Sequence, residues 1–344
     1  MQTIELTHPY KKECVLQEPI VLALGFFDGI HLGHKEVITT AKRVGQERGY
    51  KVAVMSFNQH PSVIFQNVDP ASIQYVSPLE RKKELLEELG VDIFYLVDFT
   101  KEFGALTPQE FVDQYIVGLN AKVIVAGFDY TYGKRDIANM ELLPKYASNR
   151  FEIITISEQK NDSGKISSTA VRDLLQEGRI EEANKLLGYD YMMDGVVVHG
   201  FGRGSKMLGY PTANIEVSND TFLLKNGVYV VEMLVEGQWL TGMASIGINP
   251  TFDDVHKVTI EVNILDFDKD IYHLPVRVKW LKYLRPELKF DGIDALIAQL
   301  KKDEQDTRNY FKRYQYRLCR SCKGITAVCQ RRCQNICRKL PKYV

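Results

Sequence analysis

The sequence predicts two fold classes in series, an α/β domain on a parallel sheet and then a small antiparallel all-β domain closed by a helix. Three observations carry this. From residue 20 to about 157, short apolar runs alternate with amphipathic stretches, as in a parallel sheet covered on both faces. Around residue 190 the helical texture stops, and period-two or wholly apolar segments separated by Gly and Asn turns continue to about 283. A chain of 344 residues is long enough for two cores.

Taken in order, strands are expected at 20–25, 51–57, 92–98, 121–127 and 151–157. The first, Ile20-Val21-Leu22-Ala23-Leu24, is apolar at every position, which suits a strand buried on both faces. Leu32 to Arg48 reads as a helix with Val37, Ile38, Ala41 and Val44 on one side. Ser77-Pro78-Leu79-Glu80 and Thr107-Pro108-Gln109-Glu110 each supply a capping hydroxyl, proline at the first helical position and glutamate three residues after the cap. In the second domain, strands at 194–199, 227–235, 238–246, 257–266 and 275–283 suffice to close a small barrel. Residues 291–311 place Ile293, Leu296, Ile297 and Leu300 at helical spacing, so a closing helix is expected there. With no internal repeat or low-complexity linker, the boundary falls near 180–192. This gives domains at 1–187 and 188–313 and a basic, Cys-containing tail at 314–344, expected to be poorly ordered or loosely helical.

Composition excludes several classes. Hydrophobic content of 45% and charged content of 26% are ordinary for globular protein. Formal net charge is zero, so nothing global argues for nucleic acid or an acidic membrane surface. The N-terminal MQTIELTHPYKKECVLQEP lacks the apolar core of a secretory signal, and no apolar run approaches a membrane span. Cys14 stands alone in the first 318 residues. The body therefore has no disulfide framework, and a cytoplasmic location is expected.

Three segments carry chemistry. In GFFDGIHLGH (25–34), Gly25 and Gly29 allow a tight turn from the first strand into the helix, whose N-terminus favours anions. His31 and His34 lie one helical turn apart, with Gly33 leaving room for a ligand, so both imidazoles could donate to one polyphosphate. The alternative is that one of them caps the helix or sits in the core. Zinc would need further ligands, and no cysteine is near. The second segment, ISSTAVR (166–172), puts Ser167, Ser168 and Thr169 at a helix start and Arg172 one turn in, which fits either a polyphosphate or an ordinary cap. The third, AGFDYTYG (126–133), follows a buried strand, where open α/β sheets bind ligands. It places Gly127, Asp129 and aromatic rings to meet a base, ribose or substrate ring, or else simply turns the chain.

Together GFFDGIHLGH, the 127–133 segment and ISSTAVR resemble the adenylyltransferase domain of prokaryotic bifunctional riboflavin kinase/FAD synthetases. The β domain carries GRGSKMLGYPTAN (202–214), GMASIGINPTF (242–252), TIEVNILDF (259–267) and LRPELKF (284–290) in that family's order. The resemblance covers about residues 15–311. It implies a Rossmann-like nucleotidyltransferase domain followed by a flavokinase barrel, acting on riboflavin, FMN, FAD and ATP and releasing ADP and pyrophosphate.

For the first domain the resemblance implies transfer of AMP from ATP to FMN. The FMN phosphate is already an anionic nucleophile, so alignment and charge neutralisation should dominate. His31 and His34 would stabilise the β- and γ-phosphates and the leaving pyrophosphate. Ser167, Ser168, Thr169 and Arg172 would close over the same triphosphate. Gly25, Phe27, Asp28, Gly29, Gly127 and Asp129 complete the implied nucleotide set. For the second domain it implies phosphorylation of the riboflavin 5′-hydroxyl, with Glu261 as general base. Pro211, Thr212 and Asn214 come from PTAN, the latter two as magnesium and phosphate ligands. Gly202, Gly204 and Gly209 would form a flap to which Arg203 and Lys206 add charge; without the family, this stretch reads as a mobile basic loop or a structural turn. It is no P-loop, since GxxxxGK[ST] is absent.

Two positions depart from the family. Lys134-Arg135-Asp136-Ile137-Ala138-Asn139 replaces a more glycine-rich loop, with Arg135 in a shifted register. Asn263 stands where histidine is common, and tuning of Glu261 is expected from it. Beyond about residue 314 the resemblance ends, and 317–344 holds eight Lys or Arg, five Cys and no acid. Cys319-x-x-Cys322 could open a zinc site, but Cys329, Cys333 and Cys337 do not supply the second CxxC of a paired site, so a basic, oxidation-prone extension is expected rather than zinc. Two other functions are weighed: an FMN adenylyltransferase with a kinase-inactive flavin-binding β domain, and a flavin-responsive regulator binding nucleic acid through the tail. Neither nucleic acid nor membrane is expected as a partner, and self-association is left open.

Overall fold

Apolar residues alternate between two faces along each central strand, and both faces are covered. The structure, a computed structural model, describes residues 1–161, 164–200, 209–250 and 256–321. Strands β1 (Gln2–Leu6), β2 (Ile20–Leu24), β3 (Lys51–Phe57), β4 (Ile93–Val97), β5 (Ala121–Gly127) and β6 (Glu152–Ile156) form one parallel sheet in the order β1-β4-β3-β2-β5-β6. On β2, Leu22 and Leu24 join a core with Met55, Tyr95, Phe103 and Tyr115. Val21 and Ala23 face the other way, against Val37, Ile38, Ala41 and Val44 of helix α1 (Leu32–Arg48). The chain leaves β2 toward β3 and β4 on one side and later fills β5 and β6 on the other. This reversal beside β2 creates a crevice at the strands' carboxyl ends.

The predicted first-domain strands are present within one residue at each end, and edge strand β1 is added. Its half-polar sequence gave it no apolar run; pairing with β4 makes it a strand. The two proline-marked helix starts part company. Thr107 forms the expected capping box with Glu110 at α5 (Pro108–Phe111), which follows the short α4 (Lys101–Gly104) and passes into a π-helical turn over Val112–Val117. Ser77 does not cap α3 (Leu79–Glu88), the helix after the short α2 (Ser62–Phe65). Its hydroxyl is taken by the Gly29 amide, 2.7 Å away. After α6 (Leu143–Ala147) come the hairpin β7–β8 (Lys160–Asn161 and Gly164–Lys165), α7 (Ser168–Glu177) and α8 (Ile180–Leu187).

The second half is a closed six-stranded barrel in the order β10-β13-β12-β11-β14-β9. Its strands are β9 (Tyr191–Val198), β10 (Ala213–Val217), β11 (Gly227–Val235), β12 (Gln238–Pro250), β13 (His256–Ile264) and β14 (Pro275–Arg285). β10 was not expected; it is the downstream end of the PTAN segment, drawn into the ladder by β13. The closing helix α9 runs Ile293–Ser321, ten residues past the predicted end. Arg285 meets buried Asp303 of this helix with two nitrogens, anchoring it to β14.

The chain forms two units, one of Met1–Tyr191 with Val217–Lys225, the other of Met192–Glu216 with the chain from Asn226 onward. Gly202, Arg203, Gly204 and Lys206 lie outside the described residues, as do Cys322, Cys329, Cys333 and Cys337 and with them the question of zinc in the tail.

Candidate active sites

The turn after β2 is built from residues in unusual backbone conformations. Phe27, Ile30 and Gly29 all have positive φ, at 55°, 34° and 78°, and side chains at the first two must be held there by packing. Both are buried. Phe27 folds back on Gly25, where a β-carbon would come within 2.8 Å of its ring, and its edge meets the His34 imidazole at 5.2 Å between centroids.

His31 is the N-cap of α1, its Nδ1 accepting from the His34 amide at 3.3 Å. The capping reading and the donor reading thus describe one residue. With Nδ1 committed as acceptor, the neutral ring carries its proton on Nε2. The imidazoles stack 3.7 Å apart at 16°. Burial lowers His31 to about 4, partly opposed by Asp129. Burial, then the neighbouring His31, holds His34 well below the usual imidazole range. Both rings are therefore neutral donors at neutral pH in the free protein. His34 Nδ1 has no hydrogen-bond partner among the described residues.

A cavity of about 370 Å³ opens at the carboxyl ends of β2, β3, β5 and β6. Gly25, Phe27, His31 and His34 line it from GFFDGIHLGH, Ser167 and Ser168 from ISSTAVR, Gly127 and Asp129 from AGFDYTYG. Ser167 caps α7 by accepting from the Ala170 amide, and Ser168 Oγ donates to the Asp28 carbonyl at 2.9 Å. Two helix N-termini thus border one cavity, a favourable setting for phosphate. Asp129 pairs with Lys165 at 3.0 Å, and the Lys165 ammonium lies 4.9 Å from the Phe128 ring centre.

Asp28, Gly29, Thr169 and Arg172 do not line the cavity. Asp28 is 3% exposed. Its carboxylate accepts from the Val76 and Ser77 amides and pairs with Arg172. Asp28 therefore braces the turn and Arg172 from behind. Thr169 is exposed on α7. Arg135 does not line the cavity either; the loop after Gly133 closes on itself, Tyr132 donating to the Ala138 carbonyl and Asn139 to that of Arg135.

Sequence reasoning missed His60, Pro61 and Lys165, all of which line the cavity. His60 follows the end of β3 as the histidine pair follows β2, so the strand-end rule applied to β3 would have found it. Lys82 was also missed. It is buried beneath the turn, donates to the Phe26 carbonyl at 2.9 Å, and is pushed down by burial to about 8.

In the barrel, Asn214 on β10 lies directly across from Glu261 on β13. Thr212 Oγ1 donates to the Glu261 carboxylate at 3.1 Å. Three predicted residues thus gather at one ladder position. Asn214 packs on Gly200, where a β-carbon would displace the Asn214 side-chain amide. Asn263 does not bond Glu261. Its amide donates to the Pro211 carbonyl at 2.7 Å, one residue before the Thr212 whose hydroxyl meets Glu261. Gly209 has φ of 71° and open space around it. A second cavity, about 230 Å³, is lined by Pro211, Thr212, Val262, Ile264, Phe267 and Tyr272 among others. Hydroxyl, amide and carboxylate oxygens suit a hard cation such as magnesium. Among the described residues no three His, Cys, Asp or Glu side chains group as a metal site, and no helix is long and apolar enough to cross a membrane.

Residues 14–170 match the FAD synthetase family, and residues 187–311 match the riboflavin kinase family. A bifunctional riboflavin kinase/FMN adenylyltransferase of Listeria monocytogenes is 50% identical over 311 residues, covering 90% of this chain and 98% of that protein. The proteins of the same description from Bacillus subtilis and Escherichia coli K12 are 40% and 35% identical, over 90% and 86% of this chain and 98% and 94% of their own length. A Streptococcus pneumoniae crystal structure described as a macrolide-efflux protein superposes with a TM-score of 0.82 at 38% identity, covering 89% of this chain and 99% of that one.

Proposed function

The chain belongs to the family of bifunctional riboflavin kinase/FMN adenylyltransferases, transferases that phosphorylate riboflavin with ATP and adenylylate FMN to FAD, and from that premise we propose which residues carry each step. The assignment of adenylyl transfer rests on one observation: three separate motifs converge on the cavity at the carboxyl ends of β2 and β5. An FMN phosphate oxygen attacks the α-phosphorus of ATP, the bond to the β-phosphate bridge breaks, and pyrophosphate leaves with the electron pair. No general base is required. His31 through Nε2–H, with His34 beside it, donates to the triphosphate and to the charge that develops on pyrophosphate. Ser167, Ser168 and the start of α7 hold the chain of phosphates from the other side, with Thr169 and Arg172 at its edge. Gly25 and Gly127 leave room for the nucleotide. Phe27, Asp28 and Gly29 shape the turn, and Asp129 meets the nucleoside or flavin side together with Lys165.

For phosphorylation, Glu261 accepts the riboflavin 5′-hydroxyl proton as that oxygen attacks the γ-phosphorus and ADP leaves. The Thr212 hydroxyl already aimed at Glu261 supports this reading. Magnesium would be held by Thr212 and Asn214, and when bound would offset phosphate charge. Pro211 and Gly209 set the entry of this strand, and by family resemblance Gly202, Arg203, Gly204 and Lys206 cover the phosphates.

We place the enzyme in the cytoplasm, working on small molecules without nucleic acid or membrane, with self-association compatible with either reaction. The test supplies riboflavin, ATP and magnesium and separates the flavins by chromatography. FMN appearing first and FAD second supports the assignment. EDTA should stop phosphorylation, and persistence of FMN formation in EDTA would remove magnesium from the scheme.

A further inference from the structure

The segment Val217–Lys225 belongs to the first unit, although the match to the riboflavin kinase family spans it. We propose that this strap completes the adenylyl-transfer site, with Phe222 as a positioning residue for Arg172. The proposal rests on the reading that Arg172 serves the ATP triphosphate.

Asp28 is the point on which the geometry turns. Its carboxylate is held from one side by the Val76 and Ser77 amides and from the other by Arg172. Both sides rest on the strap. On the first, Tyr75 pairs with it in a short parallel bridge. The Tyr75 amide donates to the Asp220 carbonyl at 2.6 Å, and the Phe222 amide donates to the Tyr75 carbonyl at 3.0 Å. The residues bonded to Asp28 are the next two in the chain. On the second side, the Arg172 guanidinium lies 5.9 Å from the centre of the Phe222 ring. A guanidinium paired with a carboxylate and set over an aromatic ring has fewer orientations open to it before substrate arrives.

The strap is itself secured. Thr221 and Phe222 are buried, the Tyr191 hydroxyl donates to the Phe222 carbonyl at 2.5 Å, and the Lys225 amide reaches the Leu175 carbonyl of α7 at 3.4 Å. Tyr75 carries the constraint to the cavity. Its hydroxyl accepts from the amide of cavity-lining His60 at 3.1 Å, and its ring meets Phe26 at 5.8 Å. Loss of the Phe222 ring face would free Arg172 to rotate while leaving every residue proposed for phosphorylation in place.

The experiment uses the full chain and compares Phe222→Leu, Phe222→Tyr, Arg172→Ala and the double variant Phe222→Leu/Arg172→Ala, with unfolding midpoints recorded for each. Phe222→Leu should lower kcat for FMN adenylylation about 3- to 30-fold, the range of a partly desolvated cation–aromatic contact. KM for ATP should move less than about twofold and riboflavin phosphorylation should persist, whereas Phe222→Tyr, which keeps the ring, should recover most of the rate. In the Arg172→Ala background Phe222→Leu should cost nothing more, because the group it positions is gone. If the two losses multiply, or if Phe222→Leu adenylylates at the native rate while Arg172→Ala does not, the strap is not a positioning element. If Arg172→Ala itself retains the native rate, the reading of Arg172 beneath the proposal fails instead.

Discussion

His31 caps a helix with one ring nitrogen and offers the other to the cavity, so one substitution removes two functions that a second can separate. His31→Ala should lower FAD formation about 10²- to 10³-fold, the usual loss of a transition-state donor, and also cost about 1 kcal/mol of cap stability. Asn caps well, so His31→Asn should recover the stability and not the rate. Chromatography of the products and urea unfolding check the two halves. His31 should titrate near 4 by NMR of the ligand-free protein. Since 6.5 is the ordinary value, between 6.5 and 4 the unfolded chain binds a proton that the folded protein does not. Stability therefore falls as pH drops through that window, and urea midpoints at pH 7 and 5 should fall less for His31→Asn. Glu261→Gln should lower riboflavin phosphorylation about 10²- to 10⁴-fold while added FMN is still adenylated. Loss of both reactions in folded protein would contradict the division into two sites.

Two nearly identical helix-start signals fold differently, and the difference lies outside either element. Thr107 closes a capping box because its neighbours leave its hydroxyl free for Glu110. Ser77 has the same flanking proline and glutamate, yet its hydroxyl bonds Gly29, 48 residues away in the chain. Thr107→Ala should cost about 1 kcal/mol in denaturant unfolding with both reaction rates unchanged. Ser77→Ala should lower FAD formation about tenfold, because the turn that carries the histidine pair loses a buried partner; a purely destabilised enzyme at the native rate would argue otherwise. Apolar strands and the α1 stripe were legible because their periodicity is local. Strands β1 and β10 were not, since half-polar sequences become strands only when β4 and β13 pair with them.

At the scale of the molecule, the family match ends at residue 311. Removing residues 322–344 should leave both rates within about twofold, and metal analysis of both forms under reducing conditions should find no zinc; zinc in the full chain alone would give the tail a structural role. Taken by itself, the sequence determined the two fold classes, the histidine pair and the serine-rich helix start, while Thr212, Asn214 and Glu261 were singled out only by the resemblance to a family. Apolar periodicity and residue chemistry are written along short stretches of chain. Only the tertiary structure decided that Ser77 serves Gly29 rather than its own helix, that Asn263 holds Pro211 rather than Glu261, that Asp28 braces Arg172 across 144 residues, and that Val217–Lys225 folds with the first unit. Those outcomes are competitions for hydrogen-bond partners and buried space between distant segments, and no local pattern records which partner arrives.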